Sequence, residues 1–252
     1  MQIDLKNSDC LEFLKTIPDN SVGHINCDPP YNIGFQGEEW DSFPTEDDYL
    51  DWCRDWITEC ARVLQPNRMM CVWGTQKIDL FFRLKLEVLN KIEGLNAQSA
   101  IHWTYNWGGR PRNNFAHKME TAWCYSKGKE FFFDRTNIEV ERILKINLRT
   151  KKPFENGTIP TTVWDCTVGK TSGEFKESKF HPTAKPQKIL QRMIYAYTEE
   201  NDTVLDCFSG SGSTAVACIN TNRNFIGCEK DFEYYEKSMK RIENNKGLFK
   251  FA

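Results

Sequence analysis

The stretch Leu205-Asp206-Cys207-Phe208-Ser209-Gly210-Ser211-Gly212-Ser213-Thr214-Ala215 decides the fold, because it reads as a buried strand running into a glycine-rich turn and then a helix. Gly210 and Gly212 permit a tight turn and close approach of a ligand to the backbone, and Ser213 is placed to cap the helix that follows. Seventeen residues after Gly212 comes Glu229, at the end of the next predicted strand, Asn224 to Cys228, where an acid can accept both hydroxyls of a ribose. The pattern predicts an adenosine site. Gly210-x-Gly212-x-x-Ala215 also fits the dinucleotide fingerprint, but only about forty residues follow it, too few for a second nucleotide-binding half.

Outward from this motif, Gln2 to Lys6, Val22 to Cys27 and Thr203 to Phe208 are short apolar runs ending in loop-forming residues, as buried parallel strands do. Further strands are expected at Arg68 to Trp73, Ala100 to Tyr105 and Thr121 to Tyr125. Between Glu46 and Val63, apolar residues recur at threes and fours (Tyr49, Leu50, Cys53, Trp56, Ile57, Cys60), which predicts a helix with one buried face. Other helices are expected at Gln76 to Asn90, Pro186 to Thr198, Ser213 to Asn220 and Phe232 to Asn244. Strand followed by helix, repeated, means an α/β sheet. From about Lys129 to Phe180 the pattern decays into short polar and aromatic pieces, so this segment is expected to be inserted rather than integral to the sheet. The tryptophans at 40, 52, 56, 73 and 123 are expected to serve packing.

A chain of 252 residues with 40% apolar, 27% charged and 13% aromatic residues is long enough for a sizeable single core and is neither disordered nor fibrous. No apolar run approaches the roughly 20 residues that cross a bilayer, and the N-terminus lacks a signal peptide's pattern, so a cytoplasmic protein with no membrane partner is expected. Ten cysteines without a C-x-x-C pair predict reduced, mostly buried thiols and no metal site. The net charge of −2 conceals an uneven distribution: residues 1–60 carry −11, residues 61–190 carry +10 and residues 191–252 carry −1. A basic middle beside an acidic start suits a polyanion such as nucleic acid, and a solvated basic face is the alternative.

The second motif, Asp28-Pro29-Pro30-Tyr31, directly follows the predicted strand Val22 to Cys27. Two prolines fix an extended backbone with no N–H to donate, so carbonyls and the Asp28 carboxylate are presented together at the strand's end. A planar amino group has two N–H bonds, which one side-chain oxygen and one carbonyl can satisfy while Tyr31 stacks on the ring. Alone, such a turn can be purely structural. Its place after a buried strand, and its pairing with an adenosine motif, make it specific.

Together, Asp28-Pro29-Pro30-Tyr31 and Phe208-Ser209-Gly210-Ser211-Gly212 resemble the DNA amino-methyltransferases that use S-adenosylmethionine, in the β arrangement where the catalytic motif precedes the cofactor motif. His181-Pro182-Thr183-Ala184-Lys185-Pro186 looks like that subgroup's third signature, and similarity runs from Asp9 to Glu243. The resemblance implies a Rossmann-like α/β fold with a mostly parallel, circularly permuted sheet. It divides the chain into a catalytic half (1–128), a target-recognition segment (129–180) and a cofactor-binding half (181–252) of one domain.

It further implies base flipping into the pocket at the Asp-Pro-Pro-Tyr turn. There Asp28 and the Pro29 carbonyl hold the target amino group, Pro30 stiffens the turn and Tyr31 stacks on the base. The implied cofactor set is Asp9, Cys10, Asp28, Lys185, Phe208, Ser209, Gly210, Ser211, Gly212 and Glu229. Phe208 to Gly212 would line the methionine end, Glu229 would bind the ribose, Asp9-Cys10 would meet the adenine, and Lys185 would reach the cofactor carboxylate. By family habit an aspartate at position 28 favours adenine, with amino methylation of cytosine, RNA methylation or a silent DNA-binding subunit as alternatives. Arg110, Arg112, Asn113 and Asn114 resemble the family's cationic loop beside the target base, and Lys151 and Lys152 are expected on the DNA backbone. His117 and Glu120 match a polar pair that follows this loop, His117 being expected as a structural histidine. Double-stranded DNA is the implied partner. A homodimer and a cognate restriction endonuclease of a restriction-modification pair are carried by group habit alone.

Overall fold

The structure, a computed structural model, describes residues 1–34, 39–74, 78–106, 109, 111–138, 149–150, 157–166, 176, 178–181 and 183–248. Its strands are β1 (Ile3–Asn7), β2 (Val22–Cys27), β3 (Leu64–Gly74), β4 (Leu95–Thr104), β5 (Met119–Lys127), β6 (Val163–Asp165), β7 (Thr203–Asp206) and β8 (Asn224–Glu229). The helices are α1 (Cys10–Lys15), α2 (Glu46–Val63), α3 (Ile78–Arg83), α4 (Gln187–Tyr197), α5 (Ser213–Thr221) and α6 (Phe232–Leu248). The strands form one sheet in the order β1-β8-β7-β2-β3-β5-β4-β6. All neighbours are parallel except β3 with β5 and β5 with β4.

This order explains the permutation. Counted from β7 as the first strand, with β8 second, β1 third and β2 fourth, the left half of the sheet runs third, second, first, fourth. The strand order therefore reverses between β7 and β2, and ligands of open α/β sheets bind beyond the carboxyl ends of strands at such a switch point. Both sequence motifs lie there: Asp28 follows β2 and Phe208 follows β7 shortly after its end.

β3 shows why the centre reads as continuously apolar. Met70 and Val72 pack on one face with α1, α2 and α3, whereas Met69, Cys71 and Trp73 pack on the other with Ile189, Met193 and Tyr197 of α4. Helix α2 forms where the periodicity places it. The Thr45 side chain accepts from the Asp48 amide at 3.1 Å, three acids occupy the first turn, and Tyr49, Leu50, Cys53, Trp56, Ile57 and Cys60 are buried. The cysteines are free thiols, nine buried and Cys166 half-buried.

Several expectations need correction. Ser213 is not the cap of α5: Gly212, at φ 71°, is the capping residue, and the Ser213 hydroxyl instead meets Ser211 Oγ and the Arg241 guanidinium. The expected helix 76–90 is broken, α3 giving way to a π turn at Leu84–Val88 and a 3-10 turn at Leu89–Lys91. Leu80 and Leu89 are both fully buried yet nine residues apart, which a regular α-helix would turn to opposite sides, so the widened turn brings both inward. The 129–180 segment contributes β6, which pairs parallel with β4 and so belongs to the sheet's edge. Helix α1, capped by the Asp9 side chain on the Leu11 amide at 2.9 Å, had no counterpart in the sequence reading.

Candidate active site

A cleft of about 1150 Å³ opens at the switch point. Every expected catalytic residue lines it (Asp28, Pro29, Pro30 and Tyr31), as do Asp9, Cys10, Lys185, Phe208, Ser209, Gly210, Ser211 and Glu229 from the cofactor set. Gly212 sits behind the wall, where a side chain would press on Ser238 and Ile242. Trp40 and Trp52, expected to serve packing, line the cleft, and Trp52 meets the Phe208 ring edge-on at 5.6 Å.

The glycine-rich turn is held from three sides. Glu229 Oε2 accepts from the Gly210 amide at 2.7 Å while its Oε1 accepts from the Asp231 amide at 2.9 Å. Ser238 donates to the Gly210 carbonyl at 2.5 Å, and Arg241 donates to the Ser211 carbonyl at 2.9 Å. Gly210 has φ 47°, and a Cβ there would come within 2.6 Å of His181 Nε2, so glycine is required twice over. Beneath the turn, buried Asp206 accepts from the Thr214 hydroxyl at 2.6 Å and the Phe208 amide at 3.0 Å. Burial raises the carboxyls of Asp206 and Glu229 and lowers His181 to about 4, so the imidazole is neutral at physiological pH. Burial likewise pushes the Cys10 thiol up to about 12.

The Asp-Pro-Pro-Tyr turn is held by an acid that sequence reasoning missed. Asp41, 1% exposed, accepts from the amides of Tyr31 at 2.5 Å, Asn32 at 2.7 Å and Ile33 at 3.1 Å. Asn32, at φ 52°, accepts from the Phe43 amide at 3.1 Å, and Tyr49 donates to the Pro30 carbonyl at 2.9 Å. Asp41 lies in an acidic stretch where one carboxylate looks like the next, so only chain reversal identifies it.

Asp28 is the centre of the polar cluster. One carboxylate oxygen accepts from the Tyr31 hydroxyl and the other is paired with the Lys185 ammonium. Lys185, 5% exposed, also reaches Glu120 Oε2 at 3.0 Å. Burial alone would lower the Lys185 pKa, but the charges of Asp28 and Glu120 outweigh it and hold the ammonium above its ordinary value. Burial raises Glu120, with Lys185 opposing. Burial also raises the Tyr31 hydroxyl, with Asp28 adding to it, so the phenol stays a donor.

Below the cleft, the sulfurs of Cys27, Cys60 and Cys207 lie within 4.8 Å of one another, and Cys27 and Cys207 on the adjacent β2 and β7 chains approach to 3.3 Å. Burial holds the Cys60 and Cys207 thiols up; burial alone would raise Cys27 too, but hydrogen bonds with the Cys207 and Cys60 thiols outweigh it and hold Cys27 below its ordinary value. Arg112, Asn113 and Asn114 are exposed on the β4–β5 connection and are not among the residues that line the cleft. His117, expected to be structural, is exposed beside them. Arg110, Lys151 and Lys152 lie outside the described residues.

Comparison with known proteins places this geometry. The DNA methylase family model of the N6/N4 type matches residues 22–240. The chain is 32% identical over 250 residues to the DNA adenine methyltransferase YhdJ of Escherichia coli K12, covering 94% of this chain and 81% of that protein. Among solved structures, the fold superposes on the cytosine-N4-specific PvuII DNA methyltransferase with a TM-score of 0.76 at 19% identity, covering 99% and 92% of the two chains. It superposes on the M1.HpyAVI complex with S-adenosylmethionine with a TM-score of 0.65 at 25% identity, covering 96% and 99%. With both motifs meeting in one cleft and the family match spanning most of its length, the chain belongs to the N6/N4 DNA methylase family and is a DNA methyltransferase.

Proposed function

We propose that this methyltransferase acts on the exocyclic amino group of adenine, extruded from duplex DNA into the pocket at Asp28 to Tyr31. S-adenosylmethionine is the cofactor and supplies the methyl group when bound. The residues present fit it: Phe208, Ser209, Gly210 and Ser211 of the turn line the cleft, and the Glu229 carboxylate, which lines it too, has hydrogen-bonding capacity beyond the Gly210 and Asp231 amides. Phe208 and Ser209 add apolar and polar surface to the lining, and Asp9 and Cys10 line the same cleft.

The observation that carries the reading is the meeting of the two motifs at adjacent strand ends. There Asp28 can accept one N–H of an amino group beside the cofactor wall. Accepting those N–H bonds would draw the nitrogen lone pair out of conjugation with the ring and leave it free to take up the methyl group that the cofactor would supply. Positioning then supplies most of the rate. No strong base is required, because the amino proton becomes acidic only once the nitrogen is alkylated. Tyr31, held by hydrogen bonds to Asp28 and Asp41, would stack on the base.

Adenine rather than cytosine is supported by the aspartate at position 28 and by the adenine-specific relative YhdJ, since the likeness to the cytosine-specific PvuII enzyme at 19% identity speaks for the fold alone. DNA contact by Arg110, Arg112, Asn113, Asn114, Lys151 and Lys152, the role of 129–180 in target recognition, a homodimer, a cognate endonuclease and a cytoplasmic location are parts of the same proposal. The +10 charge of residues 61–190 supports the DNA contacts, and among the described residues no helix is long and apolar enough to cross a membrane. Transfer of labelled methyl groups to duplex DNA, single strands and RNA, followed by nucleoside analysis, tests the proposal. N6-methyladenine in duplex DNA is expected, and N4-methylcytosine or labelled RNA alone would overturn it.

A further inference from the structure

Lys185 is drawn by resemblance toward the cofactor's carboxylate, yet its ammonium points elsewhere. It sits between Asp28, after β2, and Glu120, at the start of β5, and lies 3.4 Å from the Tyr31 hydroxyl. Its own position is fixed because Pro186 caps α4 immediately after it. Trp73 closes the remaining side, with its ring centroid 5.2 Å from the ammonium. Three separate parts of the chain thus converge on one buried carboxylate–ammonium–carboxylate set. The proposed chemistry needs only the first member.

We propose that Lys185 and Glu120 are positioning residues for Asp28: the shared ammonium locks the Asp28 carboxylate in one orientation, and Glu120 keeps that ammonium from neutralising Asp28 outright. The coupling is electrostatic. Without Lys185, two carboxylates in a buried site repel and tend to share a proton, which removes the acceptor the amino group needs. Without Glu120, the ammonium belongs to Asp28 alone and weakens it as an acceptor while leaving its orientation intact. Removing both leaves Asp28 with Tyr31 and no like charge beside it. The double variant should therefore be better than the loss of Lys185 by itself. The other titratable groups that interact with the set are Tyr31, Tyr49, Tyr105, His117, His181, Cys27 and Asp206.

The inference rests on Asp28 as acceptor, and the test separates the two. Single-turnover methylation of duplex DNA at saturating cofactor would be followed from pH 5.5 to 9 for Lys185→Met, Lys185→Arg, Glu120→Gln and the Lys185→Met/Glu120→Gln pair. Cofactor affinity would be measured by calorimetry alongside. Lys185→Met is expected to lose about 10²-fold in rate, the scale of a misplaced reacting group. Its affinity for S-adenosylmethionine should stay within a few-fold, and its rate should rise with pH across the neutral range, where the parent is flat. The double variant should recover about tenfold of that loss, and Lys185→Arg should keep most of the parent rate, as expected when relief of like-charge repulsion restores an ionised acceptor. If Lys185→Met fails to fold, Lys185→Arg and Glu120→Gln carry the test, Glu120→Gln being expected to slow transfer without weakening cofactor binding. Weakened cofactor binding with an unchanged saturated rate would assign Lys185 to the cofactor and overturn the inference, as would a double variant no better than Lys185→Met. An inactive Asp28→Ala protein beside fully active Lys185 and Glu120 variants would remove this inference alone; an active Asp28→Ala protein would remove the functional reading beneath it.

Discussion

Replacing Asp41 by alanine should loosen the turn that carries Tyr31, although Asp41 itself belongs to neither motif. Its carboxylate receives three successive backbone amides, at 2.5, 2.7 and 3.1 Å. Hydrogen bonds to a charged acceptor contribute roughly 1.5–3 kcal/mol each. The full sum overstates the effect, because Tyr31 and Ile33 are half-buried and their amides can rehydrate, whereas Asn32 is buried. With the Tyr49 and Phe43 bonds still in place, a loss of about 3 kcal/mol is expected, allowing for non-additivity. For a chain of this length that is a drop of about 6–12 °C in melting temperature. Displacing the turn by an ångström should also slow methyl transfer about 10²-fold while cofactor binding is largely kept. Thermal melts and single-turnover assays on the same variant decide it. An Asp41→Ala protein that melts and turns over like the parent would refute the claim that this carboxylate holds the turn.

Three further outcomes follow from the geometry. Glu229→Ala should weaken S-adenosylmethionine binding by about 2–3 kcal/mol in calorimetry, since the carboxylate both anchors Gly210 and faces the cleft; unchanged affinity would remove Glu229 from the site. His181 is held near 4 by burial, below its unfolded value of about 6.5, so the unfolded chain binds more protons between those values and stability falls as pH drops through that window. The raised carboxyls of Glu120, Glu229 and Asp206 act in the opposite sense, so the diagnostic is a difference: His181→Asn should flatten the acid-side slope of melting temperature against pH. An identical slope would show a ring already protonated in the folded protein. Replacing Lys151 and Lys152 together should reduce the salt dependence of DNA binding by up to about two units of logarithmic slope, and an unaltered slope would place the phosphates elsewhere.

What the sequence made legible, it did through local pattern. The bounds that the sequence implies for strand β2 and helix α2 are the observed ones, because a run buried on both faces and a regular apolar stripe each need only neighbouring residues to be recognised. The two motifs were legible for the same reason, their chemistry being contiguous. The features that were missed depend on distant chain. Asp41 acts across a reversal of ten residues, and Glu120 meets Lys185 only because β5 runs antiparallel beside β3. The break after α3 comes from Leu89 having to face the same core as Leu80, and β6 from a strand edge left open by β4. Residue preference alone points to Ser213 as the cap, but the left-handed Gly212 occupies that place.

The central claim is that Asp28 receives the target amino group. Its replacement leaves Lys185 paired with Glu120, so no buried ammonium is stranded and the variant should fold. Single-turnover methylation by Asp28→Ala, measured beside its melting curve and its cofactor affinity, is the most direct test. The expected result is a loss of at least about 10²–10³ in rate, with affinity for S-adenosylmethionine within a few-fold and the melting curve little changed. A folded Asp28→Ala protein that methylates adenine at the parent rate would contradict the mechanism.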